Sequence, residues 1–238
     1  FIHGVMHTDN MSICGQTIDY GPCAFIDSYD PKTVFSSIDQ YGRYRYENQP
    51  LMAQWNLARF AETLLPLLDP SQEKAIALAE QAIHSFSERY QSRWMLGMRK
   101  KLGLLTEETE DTDLITALLN WMHRQETDYT NLFRALSLNI HPEEIATSDA
   151  EFFAWHARWK SRLSRQPGSA DIAYSIMLQS NPAIIPRNHC VEDALSAASE
   201  QGDLSPLKRL LSALANPFAD IPQFNDLRNP PASPERNY

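Results

Sequence analysis

The chain of 238 residues carries 21 Lys+Arg against 30 Asp+Glu, a formal net charge of −9, and 43% of its residues are hydrophobic. That content suffices for a globular core, while an acidic chain repels the phosphate backbone whose neutralisation drives nucleic-acid binding, so DNA and RNA are not expected partners. No apolar run reaches the roughly 20 residues that span a bilayer, the start lacks the basic-then-apolar order of a signal peptide, and Cys14, Cys23 and Cys190 form neither a disulfide framework nor a zinc knuckle, so a cytoplasmic protein without a membrane partner is expected.

Residues 1–48 hold four of the eight glycines. Short apolar runs at Met11–Cys14 and Cys23–Ile26 lie between turn residues, which predicts short strands and loops. The chain opens on Phe1-Ile2-His3-Gly4-Val5, without Met, and so reads as a fragment. Helical periodicity begins at Pro50: Leu51, Trp55, Leu57, Ala58, Phe60, Ala61, Leu64, Leu65 and Leu68 make a broad apolar stripe, ended by Asp69-Pro70. Ser71 is placed to cap a second helix running to about Lys101, with a break expected near Gly97. Further helices are predicted at about 109–124, 128–138, 148–165, 190–201 and 204–215. The acidic run from Glu107 to Asp113 reads as a solvated loop leading into a helix, its acids favoured near the N-terminal dipole. The five tryptophans, Trp55, Trp94, Trp121, Trp155 and Trp159, read as core residues on apolar faces. Pro217, Pro222, Pro230, Pro231 and Pro234 preclude regular structure at the end. The organisation expected is therefore loops at 1–48, a mainly α body at 49–216 and a Pro-rich tail at 217–238.

The chemistry is concentrated near the start. His3-Gly4-Val5-Met6-His7-Thr8-Asp9-Asn10 is followed by Asp19-Tyr20-Gly21. Mg²⁺ takes oxygen ligands and usually only one or two from the protein, so an Asn amide and an Asp carboxylate on neighbouring loops can supply the pair. Protein kinases place such residues in an H-R-D-x-x-x-x-N loop and a D-F-G segment. On that template His3, Asn10 and Asp19 take the His, Asn and D-F-G Asp positions, but Val5 stands where the base Asp belongs and accepts no proton. Asp9 is the other carboxylate in the loop, available as base or as a group supporting the metal ligands. Turn-forming Asx residues explain the same letters without any chemistry. Arg43 to Gln49 and Arg187-Asn188-His189 each read either as contacts to phosphate or substrate, or as turns leading into helices.

The longer context carries a resemblance. His3-Gly4-Val5-Met6, Thr8-Asp9-Asn10-Met11-Ser12, Thr17-Ile18-Asp19-Tyr20-Gly21-Pro22, Gly42-Arg43-Tyr44, Tyr46-Glu47-Asn48-Gln49-Pro50 and Trp55-Asn56-Leu57 resemble the selenoprotein O family, also called the YdiU family. Asn181-Pro182, Pro186-Arg187-Asn188-His189, Val191-Glu192 and Ala194-Leu195 are similar to its C-terminal block. The resemblance implies the C-terminal lobe of a protein-kinase-like fold, with a helical extension. It also implies an activity: transfer of AMP from ATP to Ser, Thr or Tyr hydroxyls of proteins, with Mg²⁺ or Mn²⁺. By position, Asp9 is the implied proton acceptor, Asn10 and Asp19 the implied metal ligands, and Asp19 also lies near the nucleotide. His7 replaces an expected Asn and Cys23 an expected aromatic, neither at an assigned position. The lobe that would bring a phosphate-covering loop, a Lys and its Glu partner is not in the sequence, so the chain alone is expected to be inactive. Phosphotransfer with Asp9 as a displaced base, or a non-catalytic pseudokinase module that binds partners through its helices, are the alternative functions.

Overall fold

A computed structural model describes residues 1–17, 20 and 23–231. The protein is mainly α. Its helices are α1 (Gln49–Leu68), α2 (Gln72–Lys101), α3 (Asp111–Arg124), α4 (Tyr129–Ser137), α5 (Pro142–Ile145), α6 (Ala150–Arg165), α7 (Ala170–Ser180), α8 (Asn188–Gln201) and α9 (Ser205–Leu214). Three 3₁₀ turns, Thr8–Asn10, Tyr46–Asn48 and Pro222–Arg228, complete the set among the described residues. The strands expected near the start do not form there; the described residues make only single antiparallel bridges, Ile2 with Ala24, Met11 with Thr17, and Ser28 with Asp128. The glycines and polar turn residues between them leave too few consecutive extended positions to continue a ladder.

Two compact units divide the chain. The first comprises Phe1–Ala24 and Pro31–Trp94. Its α1 begins with Pro50 in the first turn, where the missing N–H has no helical partner to lose. Asn48 precedes it without capping, because its amide donates back to the carbonyls of Gly42 and Arg43. The buried line of α1 is Met52 and Asn56, not the apolar stripe, since Leu51 and Trp55 face outward. Trp55, 42% exposed, lies under the guanidiniums of Arg43 and Arg59 at 5.1 and 5.4 Å, which accounts for an indole outside the core.

The second unit comprises Phe25–Asp30 and the described residues from Met95 on. Gly97 does not break α2: a glycine within a helix costs only about 1 kcal/mol relative to alanine, and Met95, Met98 and Leu102 around it are buried. The helix ends on Gly103, at φ +70°, with the Leu104 N–H donating to the Arg99 carbonyl and the Gly103 N–H to that of Lys100. A Cβ there would also meet Met177 Sδ at 2.9 Å, so glycine is required twice.

The core between α3 and α6 is aromatic. Trp121, Phe152, Trp155 and Trp159 are buried and meet in sequence with centroids 4.6, 5.8 and 5.9 Å apart, the first pair tilted and the other two stacked. Each indole N–H finds an acceptor: Trp155 the Leu114 carbonyl, Trp159 that of Leu102 and Trp121 the Asp149 carboxylate, all at 2.9 Å. α7, with Ala173 and Met177 buried, packs against α4. α8 packs against α9 over Ala183, Ile184, Leu210, Ala213, Phe224 and Leu227. The Pro-rich end thus contributes a 3₁₀ turn with two buried side chains, where irregular chain was expected; Pro234 lies outside the described residues.

The acidic run leads into α3 with Glu107, Glu110 and Asp113 exposed, as expected, but Asp111 within it is not solvated. Asp111 is fully buried, with Arg99 Nε on one carboxylate oxygen and Arg162 Nε on the other, each at 2.8 Å, and Glu108 ties Arg162 to Arg165.

Lys101 is the opposite case, an amine whose ion pairs are absent among the described residues. Its Nζ donates to the Ser180 carbonyl and to Asn181 Oδ1, at 3.4 and 3.2 Å, and sits over the Tyr129 and Phe133 rings. Burial pushes its pKa down to about 8 from 10.5. Between those values the unfolded chain binds the extra proton, so stability rises with pH across that window. Lys101→Met is expected to stabilise the protein by about 1–2 kcal/mol at pH 7. Urea unfolding at pH 7 and pH 10 should show that advantage shrinking at the higher pH.

Candidate functional site

The first eleven residues are held to one face of α1 by two amides. Gln49 and Asn56, seven apart with buried Met52 between them, lie on the same side of the helix. Gln49 accepts the His3 N–H through Oε1 and donates to the Phe1 carbonyl through Nε2, both at 2.9 Å, doing the work of one strand residue. Asn56 Nδ2 donates to the Met6 carbonyl at 2.9 Å and lies 2.7 Å from Met11 Sδ. Between Met6 and Met11 the chain makes the 3₁₀ turn Thr8–Asn10, closed by the Asn10 N–H on the His7 carbonyl at 3.0 Å.

Within this turn Asp9 and Asn10 have different surroundings. Asp9 is exposed and makes no hydrogen bond or ion pair among the described residues. The Asn10 amide nitrogen donates to the Val5 carbonyl at 3.0 Å. A carbonyl partner dictates which end of the amide is nitrogen. Oδ1, with two lone pairs, is therefore the atom left without a partner among the described residues. His3 is buried, and its ring nitrogens have no partner among the described residues. His7 lies against Tyr44, ring centroids 5.8 Å apart.

Asp19, the other expected metal ligand, lies outside the described residues, as do Ile18, Gly21 and Pro22. Among the described residues no three His, Cys, Asp or Glu side chains gather as a metal site. The bridge of Met11 with Thr17 closes the segment after Asn10, and Cys14 is exposed within it. The Ser12 side chain, and then the Gln16 backbone, hold the Cys14 thiol below its ordinary pKa. After the second bridge, of Ile2 with Ala24, the chain passes into the second unit, where the Arg187 guanidinium binds Asp27 and Asp128. Arg187 is buried between those carboxylates and the Arg228 carbonyl, so it is a structural cation leading into α8, which settles the two readings of Arg187 against phosphate.

Gln49 fell within the stretch read either as ligand contacts or as a turn, while Asn56 had no role assigned from the sequence. Their signal was a polar pair seven apart flanking Met52, out of phase with the apolar stripe of α1.

Known proteins are similar to this chain along its whole length. The chain is 53% identical over 238 residues to the protein nucleotidyltransferase YdiU of Brevibacillus brevis, covering all of this chain and 48% of that protein. It is 55% identical over 241 residues to that of Halalkalibacterium halodurans, covering 49% of it, and 54% identical over 238 residues to that of Alkaliphilus metalliredigens, covering 48%. The chain therefore spans about half the length of the curated relatives it matches. A family model described as protein adenylyltransferase SelO matches residues 1–215. With nine-tenths of its length inside that model and these relatives matched from end to end of the chain, the protein belongs to the SelO/YdiU family.

Proposed function

We propose that this chain supplies the metal-holding loops and helical C-terminal lobe of a kinase-like protein adenylyltransferase, which transfers AMP from ATP to Ser, Thr or Tyr hydroxyls of proteins. The observation that carries the reading is Asn10: its amide nitrogen is turned onto the Val5 carbonyl, which leaves a hard oxygen donor free in the turn that also exposes Asp9. Such a donor suits Mg²⁺ or Mn²⁺, with Asp19 as the second protein ligand. Bound there, the cation would neutralise charge on the phosphate oxygens. Asp9 accepts the proton of the attacking hydroxyl. The hydroxyl oxygen forms its bond to the α-phosphorus, the bond from that phosphorus to the bridging oxygen breaks, and pyrophosphate leaves. What this chain contributes is orientation and charge, the terms that dominate phosphoryl-type transfer.

Val5 at the kinase base position accepts no proton, which argues against an ordinary kinase base and leaves Asp9 as the acceptor in the loop for either transfer. The test uses full-length protein and ATP labelled at either the α- or the γ-phosphate. Label reaching protein from the α position alone is expected. Label transferred only from the γ position would make the protein a phosphotransferase, and transfer from neither would make it a non-catalytic module.

A further inference from the structure

Asn56 is 5% exposed, and its Oδ1 is buried without a partner among the described residues. An unpaired buried amide oxygen is destabilising, and leucine of nearly the same shape would avoid it. The two contacts that the side chain does make both reach the loop that carries Asp9 and Asn10. Met6, whose carbonyl it binds, follows Val5, the acceptor for Asn10; Met11, whose sulfur it touches, follows Asn10 itself. One side chain on a regular helix thus ties down both ends of the turn Thr8–Asn10. The free Asn10 Oδ1 is only as well aimed as that turn.

We infer that Asn56 is a positioning residue for the metal loop, acting through Met6 and Met11 to fix where Asn10 presents its oxygen. Gln49 fixes Phe1 and His3 and leaves the turn to Asn56. The inference rests on the proposed metal-binding role of Asn10. Groups that orient metal ligands through such contacts typically change metal affinity about 10–100-fold when removed.

Asn56→Leu in the full-length protein separates this role from a merely structural one. Its unfolding temperature is expected to stay close to that of the wild type, because removal of the unpaired oxygen offsets loss of the hydrogen bond to Met6. Hydrogen exchange of the amides between Met6 and Met11 should nevertheless accelerate about tenfold or more, and Mn²⁺ affinity should fall about tenfold. If that variant does not fold, Asn56→Ala removes the donor without adding bulk or charge, and hydrogen exchange alone reads it. Exchange within twofold of wild type in a folded variant overturns the positioning. Faster exchange with unchanged Mn²⁺ affinity, where Asn10→Ala still lowers that affinity, overturns the inference alone. If Asn10→Ala leaves Mn²⁺ affinity unchanged as well, the metal reading of the loop fails and the inference with it.

Discussion

Asp111→Ala should destabilise the protein by roughly 3–5 kcal/mol, the largest stability loss expected of any single substitution here. The carboxylate is fully buried and receives Arg99, Arg162 and the Glu108 N–H. Alanine would leave two guanidiniums facing an uncharged hole. Burial raises the Asp111 pKa, but the hydrogen bonds from Arg162, the Glu108 backbone and Arg99 outweigh it and hold the group below its ordinary 3.8. A carboxyl with a depressed folded pKa contributes stability above the unfolded value and loses it as pH falls through the folded one. Wild type should therefore lose stability more steeply than the variant below pH 3.8. Thermal unfolding near neutral pH should show a drop on the order of 10 °C. The exposed pair of Arg124 with Glu151 is the control, since Glu151→Ala removes an ion pair worth at most about 1 kcal/mol.

The second large effect concerns catalysis. Asn10→Ala and Asp9→Asn in the full-length protein should each lower AMP transfer by about 100-fold or more, for different reasons. Asn10→Ala removes an oxygen donor proposed for the cation, so Mn²⁺ affinity falls with activity. Asp9→Asn keeps the size of an exposed side chain but takes away its capacity to accept a proton, so nucleotide and Mn²⁺ binding survive while turnover does not. Asp9 is exposed and its variant should unfold within about 0.5 kcal/mol of wild type, while Asn10→Ala, which loses the bond to Val5, should cost about 1 kcal/mol.

Periodicity made most of the α body readable. The helices expected at about 109–124, 128–138 and 148–165 are α3, α4 and α6 to within about three residues at each end, because their aromatic and leucine stripes face one core. α7 escaped because its apolar residues are spread around the helix, with Ile172 exposed and only Ala173 and Met177 buried. On α1 the stripe pointed to the wrong face, since periodicity gives the phase of a helix but not which side meets the rest of the protein. Asp111 looked solvated because its neighbours in sequence are acidic; its cationic partners are 12 and 51 residues away. The same non-local logic hid Asn56, whose partners Met6 and Met11 lie 50 and 45 residues earlier. At the site, residue types and spacing singled out Asp9 and Asn10, while the direction of the Asn10 amide is set by the Val5 carbonyl, which the folded loop brings to it.

The proposed chemistry rests on Asn10 as a metal ligand. Titration of Mn²⁺ into full-length protein with a non-hydrolysable ATP analogue, wild type against Asn10→Ala, measures that directly. A loss of Mn²⁺ affinity of about tenfold or more in the variant, with the fold retained, is the predicted result; equal affinity in the two proteins would contradict it.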